Sequence, residues 1–147
     1  MNWRAFIVGA FAFSGAPVAA EAQQAGIGSS EWSSGPEGLG PGVSFVRVDR
    51  DPYKLHVHYP AGHTVGPHRH ISAEYVTVLS GTLLIGWGKV WDPTKFKAVQ
   101  AGENVVVPAG VFHFSAVREE TVMKVELAGP YNIEYVLDAD DPRPQKR

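Results

Sequence analysis

Four side chains of the kind that bind metal ions lie in two short segments of the sequence. The first segment carries His68, His70 and Glu74, and the second carries His113. Alternate side chains of a β-strand point to the same face, so His68 and His70 share a face. Glu74 has the same parity and stays on that face if the strand continues without a bulge. Two imidazoles and a carboxylate on one face are a set of metal ligands.

His113 follows a turn that would return the chain to the same place. A strand that ends at Pro108 and turns through Gly110 re-enters at His113, so a hairpin would bring this imidazole to the other three groups. Three neutral nitrogens and one carboxylate suit Fe, Mn, Ni, Cu or Zn rather than Ca or Mg. We therefore expect one divalent transition metal, with coordination positions left open for water, oxygen or substrate.

A second His-x-His pair, His56 and His58, lies in the segment Tyr53–Tyr59. The alternate positions of this segment are apolar, and the apolar side of a strand in a sandwich faces the core. We therefore expect His56 and His58 on the outer face. The alternative is a barrel with a polar cavity, in which the same alternation would turn them towards the site. His63 precedes the first ligand and is expected at the rim of the site.

Other polar and aromatic residues carry weaker signals. Lys124 and Glu126 alternate with apolar residues, which favours an exposed strand face over a charged group that reaches a substrate. Tyr131 and Tyr135 could donate a proton near a metal, although no spacing supports this role. Three aromatic residues of the 82–100 region are expected to pack or to form an interface: Trp87, Trp91 and Phe96. The sequence identifies no catalytic or substrate-binding residue beyond the metal ligands.

Short β-rich runs separated by Gly and Pro must position these groups. The predicted strands are Val43–Val48, Tyr53–Tyr59, Ala73–Leu79, Thr82–Trp87, Asn104–Val107, His113–Val117, Thr121–Leu127 and Ile133–Leu137. Several short strands at this spacing predict an antiparallel sandwich or barrel. Helical periodicity is absent from residues 23–147.

The two ligand segments resemble the two motifs of the cupin superfamily. The first motif is Gly, five residues, His-x-His, three residues, Glu, six residues, Gly, and it is matched by Gly62, His68, His70, Glu74 and Gly81. The second is Gly, five residues, Pro-x-Gly, two residues, His, three residues, Asn, and it is matched by Gly102, Pro108, Gly110 and His113. Only its last position departs, where Val117 replaces Asn. This departure leaves the metal ligands intact, but no contact of that Asn is expected here.

This resemblance implies an all-β, cupin-type jelly-roll barrel of two antiparallel sheets with little helix. It also implies that the four ligands bind one metal ion, that the motif glycines lie in turns, and that the chain pairs as a homodimer. The stretch 73–88, the ending YVLDADDPR and the N-terminal segment are similar to secreted bacterial single-domain cupins. The outer His56/His58 face and the segment 23–42 are the candidate contact surfaces.

Two mechanisms and one non-catalytic role fit a metal with open positions. Iron could bind oxygen and substrate side by side, as in cupin dioxygenases. A divalent metal could instead act as a Lewis acid in a lyase, isomerase or decarboxylase that acts on a small oxygenated molecule. The third hypothesis is a periplasmic module that binds or senses a metal or a small ligand. An acid or base in the cavity beyond the ligands would favour an enzyme, whereas purely apolar walls would favour binding.

The N-terminus predicts export. Residues 1–22 combine Arg4, an apolar run and small residues around Ala20 and Ala22, which is the order of a secretory signal peptide. The apolar run is shorter than the ~20 residues that span a bilayer, and no other segment is a candidate span. Residues 23–42 form a Gly/Ser/Pro-rich arm that Trp32 and Leu39 could hold against the domain.

Composition sets the remaining limits. The 147 residues carry 15 acidic and 13 basic side chains, a formal charge of −2, and 44% are hydrophobic. This balance fits one globular domain, predicted at residues 43–137, and offers no basic surface for nucleic acid. The lack of Cys excludes disulfides, iron–sulfur clusters and cysteine nucleophiles. Residues 138–147 are charged and rich in Pro, which predicts a loose tail.

Overall fold

The structure is a computed structural model, and it describes residues 32–50 and 53–145. The predicted signal peptide and the arm residues 23–31 lie outside the described residues. No helix in the described part of the chain is long and apolar enough to cross a membrane.

The described residues form eleven β-strands and two short 3-10 turns. The strands are β1 (Ser33–Ser34), β2 (Ser44–Arg50), β3 (Tyr53–Tyr59), β4 (Thr64–Arg69), β5 (Glu74–Ser80), β6 (Thr82–Trp87), β7 (Lys97–Gln100), β8 (Asn104–Val107), β9 (His113–Ala116), β10 (Thr121–Leu127) and β11 (Glu134–Tyr135). The 3-10 turns are Pro93–Lys95 and Asp138–Asp140.

The strands make two antiparallel sheets that face each other. One sheet has the order β1-β2-β3-β10-β5-β8 and the other has the order β11-β4-β9-β6-β7. From β3 onward the chain changes sheet at every connection except that between β6 and β7. This alternation between sheets is typical of a jelly roll, and it confirms the predicted all-β, double-sheet barrel.

The core lies between the two sheets and follows the period-two pattern of the strands. In β3, Leu55, Val57 and Tyr59 are buried. Val125 of β10 pairs with Leu55 and is buried beside it, while Ile85 contributes from the opposite sheet. Full burial of such a side chain stabilises the fold by about 1.5–3 kcal/mol. The apolar side of β3 therefore faces inward, as its alternation predicts.

A second apolar contact covers the outside of the five-stranded sheet. Phe114 is fully buried, and its ring lies 5.4 Å from the rings of both Trp91 and Phe96. This confirms packing as the role of these two aromatic residues. Gly86 pairs with Phe114 across the sheet, and a Cβ at Gly86 would overlap the Phe114 ring. The close approach explains why a glycine occupies the middle of β6.

Three observed strands are missing from the sequence-based prediction, namely β1, β4 and β7, and one predicted strand is too long. β4 contains Gly66 and Pro67, residues that ordinarily interrupt a strand. The structure accommodates them with a register shift between Val65 and His68. β7 has one buried residue among four and therefore shows little pattern. The predicted strand 133–137 is reduced to Glu134–Tyr135.

Both ends of the described chain contact the barrel. Leu39 is buried, and the Trp32 ring meets the His58 ring edge-on at 6.2 Å. The expected anchoring of the arm by these two residues is confirmed for the described part. The prediction of a loose tail is wrong for residues 138–145, because Arg143 donates a hydrogen bond to the Ile133 carbonyl at 3.1 Å.

Candidate metal centre

The first ligand segment turns a corner between the two sheets. β4 ends at Arg69, and β5 begins at Glu74 in the opposite sheet. The strand therefore does not continue to Glu74, and the expectation that Glu74 lies on the same strand face as His68 and His70 is wrong. The groups still converge, because both sheets turn their inner faces to the same cavity. His68 is the last but one residue of β4, and Glu74 is the first residue of β5.

The second segment turns a matching corner. β8 and β9 belong to different sheets, so the predicted hairpin before His113 is also wrong. Gly110 has φ +74°, a conformation that glycine adopts at little cost. Its N–H donates a 2.8 Å hydrogen bond to the His70 carbonyl, which ties the two corners together. His113 then pairs directly with His68 across β4 and β9. The motif glycines Gly62, Gly81 and Gly102 also have positive φ, as expected for turns.

The corners bring three imidazoles and one carboxylate together. One nitrogen from each of His68, His70 and His113 lies within 4.8 Å of the others. The Glu74 Oε2 atom lies 3.3 Å from His70 Nε2 and 3.9 Å from His113 Nε2. Each of the three histidines is 3% exposed. The four residues selected from the sequence are therefore neighbours in space, and the three histidines are close enough to hold one metal ion.

Backbone carbonyls orient all three imidazoles. The Nδ1 atom of His68 donates to the Gly66 carbonyl at 2.7 Å, and that of His113 donates to the Val111 carbonyl at 3.1 Å. The Nδ1 atom of His70 donates to the Asn132 carbonyl. A neutral imidazole that donates through Nδ1 keeps its lone pair on Nε2. Histidine ligands of metals characteristically hold their second nitrogen in this way.

Burial and mutual proximity shift the titration of the cluster. Burial, together with the neighbouring imidazoles, lowers the pKa of His68 to about 3. Burial also lowers the pKa of His113, with Glu74 opposing the shift. Burial would lower the pKa of His70 and raise that of Glu74, but their hydrogen bond and charges outweigh it. The pKa of His70 is consequently raised and that of Glu74 lowered.

These features fit a bound cation. His70 already donates its Nδ1–H to a carbonyl, so its Nε2 faces the Glu74 carboxylate across 3.3 Å with a lone pair unless a proton or a metal lies between them. A proton can satisfy only this one pair. A divalent ion among three Nε2 lone pairs and a carboxylate satisfies all four groups together.

The cluster lies at one side of a cavity inside the barrel. The cavity is lined by Pro36, Leu39, Leu55, Val57, Tyr59, His68, His70, Glu74, Val76, Leu83, Ile85, Val107, His113, Ser115, Met123, Val125 and Tyr131. The cavity has a volume of about 40 Å³. Because one water needs roughly 10–15 Å³, it has room for only a few water molecules. The cavity is therefore narrow and mostly apolar beyond the ligands.

A model of a known protein family matches this chain over both segments that carry the four residues. The model described as "Cupin domain" matches residues 55–128. The chain belongs to the cupin family. This match includes both ligand segments and confirms the resemblance seen in the motifs. A comparison with curated protein sequences gives no match.

Three solved structures share the fold of this cupin. The polyketide cyclase RemF from Streptomyces resistomycificus superposes with a TM-score of 0.60 at 16% identity, over 76% of this chain and 82% of RemF. KdgF from Halomonas sp. gives 0.55 at 17% identity, over 67% of this chain and 88% of KdgF. An oxalate oxidase gives 0.54 at 25% identity, over 79% of this chain and 67% of the oxidase.

The second His-x-His pair of this cupin is separate from the cluster. His56 and His58 alternate with the inward-facing residues of β3, are half-buried, and are absent from the cavity lining. Lys124 pairs with His56 across β3 and β10, and its Nζ atom lies 3.2 Å from Glu126 Oε2. The expected outer face is confirmed for these residues. His63 lies outside the cavity lining, with its ring 4.8 Å from that of Tyr59.

Three hydroxyl groups accompany the ligands, and sequence pattern did not select them as a set. Tyr59, Ser115 and Tyr131 line the cavity. The Tyr131 ring centre lies 5.8 Å from that of His70. Burial raises the pKa of Tyr59 and of Tyr131, and the charge of Glu74 adds to both shifts. In the sequence Tyr59 is one of the alternating apolar positions of β3, and Tyr131 follows the last long strand without any motif.

Proposed function

We propose that this chain is an exported cupin that binds one divalent transition metal through His68, His70, Glu74 and His113. We further propose that it uses the metal in a reaction of a small oxygenated molecule. The observation that carries the proposal is the convergence of three imidazoles with a carboxylate, each imidazole oriented through Nδ1 by a backbone carbonyl. Iron, manganese, nickel, copper and zinc all suit this donor set.

The protein groups have distinct tasks in this proposal. The carbonyl partners hold the imidazoles in one tautomer and orientation before any ion arrives. Glu74 offsets half of the charge of a divalent ion inside a poorly solvated cavity. A bound metal supplies open coordination positions and Lewis acidity. The apolar walls limit the water that can reach the ligand.

Two reaction classes fit the site. One is oxygen-dependent oxidation with iron, and the other is a Lewis-acid lyase, isomerase or decarboxylase reaction. Tyr59 and Tyr131 line the cavity together with the four metal-binding residues, and such residues favour catalysis over simple binding. The oxalate oxidase and the polyketide cyclase with similar folds are enzymes by name, which agrees with this choice.

A specific observation also favours a second function. Apart from the ligands, Tyr59, Ser115 and Tyr131, the cavity walls are apolar. A non-catalytic module that binds or senses a small ligand through its metal would need no more than this. The two candidates differ in turnover, because a sensing module returns its ligand unchanged.

Metal analysis of the protein, purified from the periplasm of its native cell, tests the proposed metal-dependent function. We expect close to one transition-metal ion per chain. Iron would favour oxygen chemistry, manganese or nickel would favour the Lewis-acid class, and zinc would favour the sensing alternative. Protein that contains no transition metal and takes none up in solution would contradict the proposal.

Export and pairing complete the proposal. The mature chain should begin near Glu21 or Gln23, which intact-mass measurement reports directly, and a periplasmic chain that begins at Met1 would contradict export. We propose a homodimer that uses the outer His56/His58 face or the arm 23–42. Light scattering that shows only monomer at micromolar concentration would contradict the dimer.

A further inference from the structure

The Tyr131 hydroxyl is a buried polar group without a partner. The Tyr131 residue lines the cavity, and its hydroxyl oxygen is shielded from solvent and has no hydrogen-bond partner among the described residues. A buried hydroxyl that makes no hydrogen bond lowers stability relative to a satisfied one. A phenol is a hydrogen-bond donor at neutral pH. An unpartnered O–H donor therefore belongs to a residue of the cavity wall whose ring lies close to His70.

The neighbouring Tyr135 provides the contrast. Its ring also lies beside a ligand, 5.6 Å from His68. Its hydroxyl, however, donates a 2.6 Å hydrogen bond to the Gly38 carbonyl, and Tyr135 is not among the residues that line the cavity. The Tyr135 hydroxyl therefore holds the arm, whereas the Tyr131 hydroxyl has no hydrogen-bond partner among the described residues.

The charge of the cavity limits what it can accept. No lysine or arginine is among the described residues that line it. Arg143, which lies near Tyr131, is engaged by Asp141 at 2.7 and 2.8 Å. If the proposed divalent ion binds, it and Glu74 together leave one net positive charge. One anionic group neutralises that charge, and a second anionic group would be buried without a cationic partner.

The cavity walls limit the rest of the bound molecule. Besides the metal-binding side chains, the walls include Leu55, Val57, Leu83, Ile85 and Met123, and the free interior is narrow. A ligand body with several hydroxyl groups would lose hydrogen bonds to water there without replacing them. A short hydrocarbon body loses none and gains contact with the walls.

We propose that the site takes a small monocarboxylate with an apolar body, and that Tyr131 is a positioning residue that donates its hydroxyl to the carboxylate. This inference rests on the proposed metal function and deepens it by naming a substrate class. One oxygen of the carboxylate faces the metal, and the group accepts a hydrogen bond from Tyr131. The phenol thereby gains the partner that it lacks among the described residues.

The test uses the full chain loaded with Co(II), whose visible spectrum reports changes in coordination. Butyrate and malonate are titrated against it by calorimetry and absorption. We expect butyrate to bind at least roughly 10-fold more tightly than malonate, because the second malonate charge has no partner. Tyr131→Phe should weaken butyrate binding roughly 10- to 100-fold, the usual loss for a hydrogen bond to a charged group. Cobalt stoichiometry should stay unchanged.

Tyr135→Phe is the matched control. It should leave butyrate affinity unchanged but lower the melting temperature of the metal-free protein, since it removes a satisfied hydrogen bond. Tyr131→Phe should not lower that temperature, because its hydroxyl has no partner to lose. A purely structural role for Tyr131 would produce the opposite result.

The outcomes separate this inference from the function on which it rests. A chain that binds no Co(II) overturns the proposed metal site and the inference with it. Bound Co(II) with equal butyrate affinity in wild type and Tyr131→Phe, or with tighter binding of malonate, overturns the inference alone.

Discussion

The barrel carries two His-x-His pairs of identical spacing, one on its outer face and one that faces its inner cavity. His56 and His58 lie on the outer face of β3 and are half-buried. His68 and His70 lie at the end of β4 and are 3% exposed. The strand that carries the outer pair buries its alternate residues, so its histidines must point outward. The inner pair sits where the chain leaves one sheet for the other, so both imidazoles turn into the cavity.

The two pairs also differ in how their rings are held. Each inner imidazole donates through Nδ1 to a backbone carbonyl. In the outer pair, His56 Nδ1 is buried without a partner among the described residues, and His58 Nδ1 lies 3.5 Å from the Ser44 hydroxyl. A His-x-His spacing alone therefore does not predict a ligand pair. The apolar pattern around it and the partners of the second nitrogen distinguish the two cases.

Removing one inner ligand should have the largest effect. In His68→Ala or His113→Ala we expect the metal affinity to fall by more than roughly 100-fold, because even loss of an outer-shell partner costs ~10–100-fold. The far-ultraviolet circular dichroism should keep its β-sheet form, since the apolar core does not depend on the ion. Equilibrium dialysis against a metal buffer measures the affinity. A variant that retains full affinity would remove that histidine from the set.

Glu74→Gln comes next in expected size. It preserves the shape of the side chain and keeps one oxygen that can face the ion, but it removes the only anionic ligand, so a divalent ion should bind at least roughly 10-fold less tightly. The same dialysis measures this loss. Glu126 on the outer face is the matched control, because its Oε1 atom lies 3.7 Å from Lys54 Nζ and far from the proposed metal. Glu126→Gln should leave metal affinity unchanged, and an equal loss in both variants would indicate a general electrostatic effect.

The turn at Gly110 allows the inner site to be tested through its backbone rather than through a metal-binding side chain. Gly110→Ala meets no atom within 4 Å, but it places an alanine at φ +74°. This conformation should lower the free energy of unfolding by about 1–2 kcal/mol, measured by urea denaturation of the metal-free protein. We also expect a modest loss of metal affinity, because Gly110 ties the His113 corner to His70.

Gly62→Ala is the control for this corner, with φ +78° and equally open space. It should cost a similar free energy of unfolding while leaving metal affinity unchanged. If both variants lose affinity to the same degree, the effect of Gly110 is global rather than local.

The outer pair should contribute a small dependence of stability on pH. Burial, followed by the charge of Lys124, lowers the pKa of His56. A histidine whose folded pKa lies below its usual value near 6.5 favours the folded state above that pH and opposes it on acidification. In His56→Gln the loss of stability below pH 6.5 should therefore be less steep, as followed by urea denaturation of the metal-free protein. An unchanged slope would show that His56 does not contribute.

Sequence patterns predicted the double-sheet fold and the grouping of His68, His70, Glu74 and His113 better than they predicted the path of the chain between them. The apolar alternation of β3 and β10 indicates an inner face because side chains in a strand alternate. The sheet change between His70 and Glu74 has no such signature, because a corner and a continuous strand place residues of the same parity alike. β4 was missed because Gly66 and Pro67 interrupt its pattern. Tyr131 was undervalued because an unsatisfied hydroxyl is a property of packing and has no sequence period.

We propose that the inner histidines, and not the outer ones, hold the metal. Titration of Co(II) from a chelator of known affinity into the His68→Ala/His70→Ala and His56→Ala/His58→Ala double variants distinguishes the two pairs. We expect no stoichiometric binding in the first variant and close to one ion per chain, with wild-type affinity, in the second. Loss of the ion from the outer variant with retention by the inner one would contradict the account.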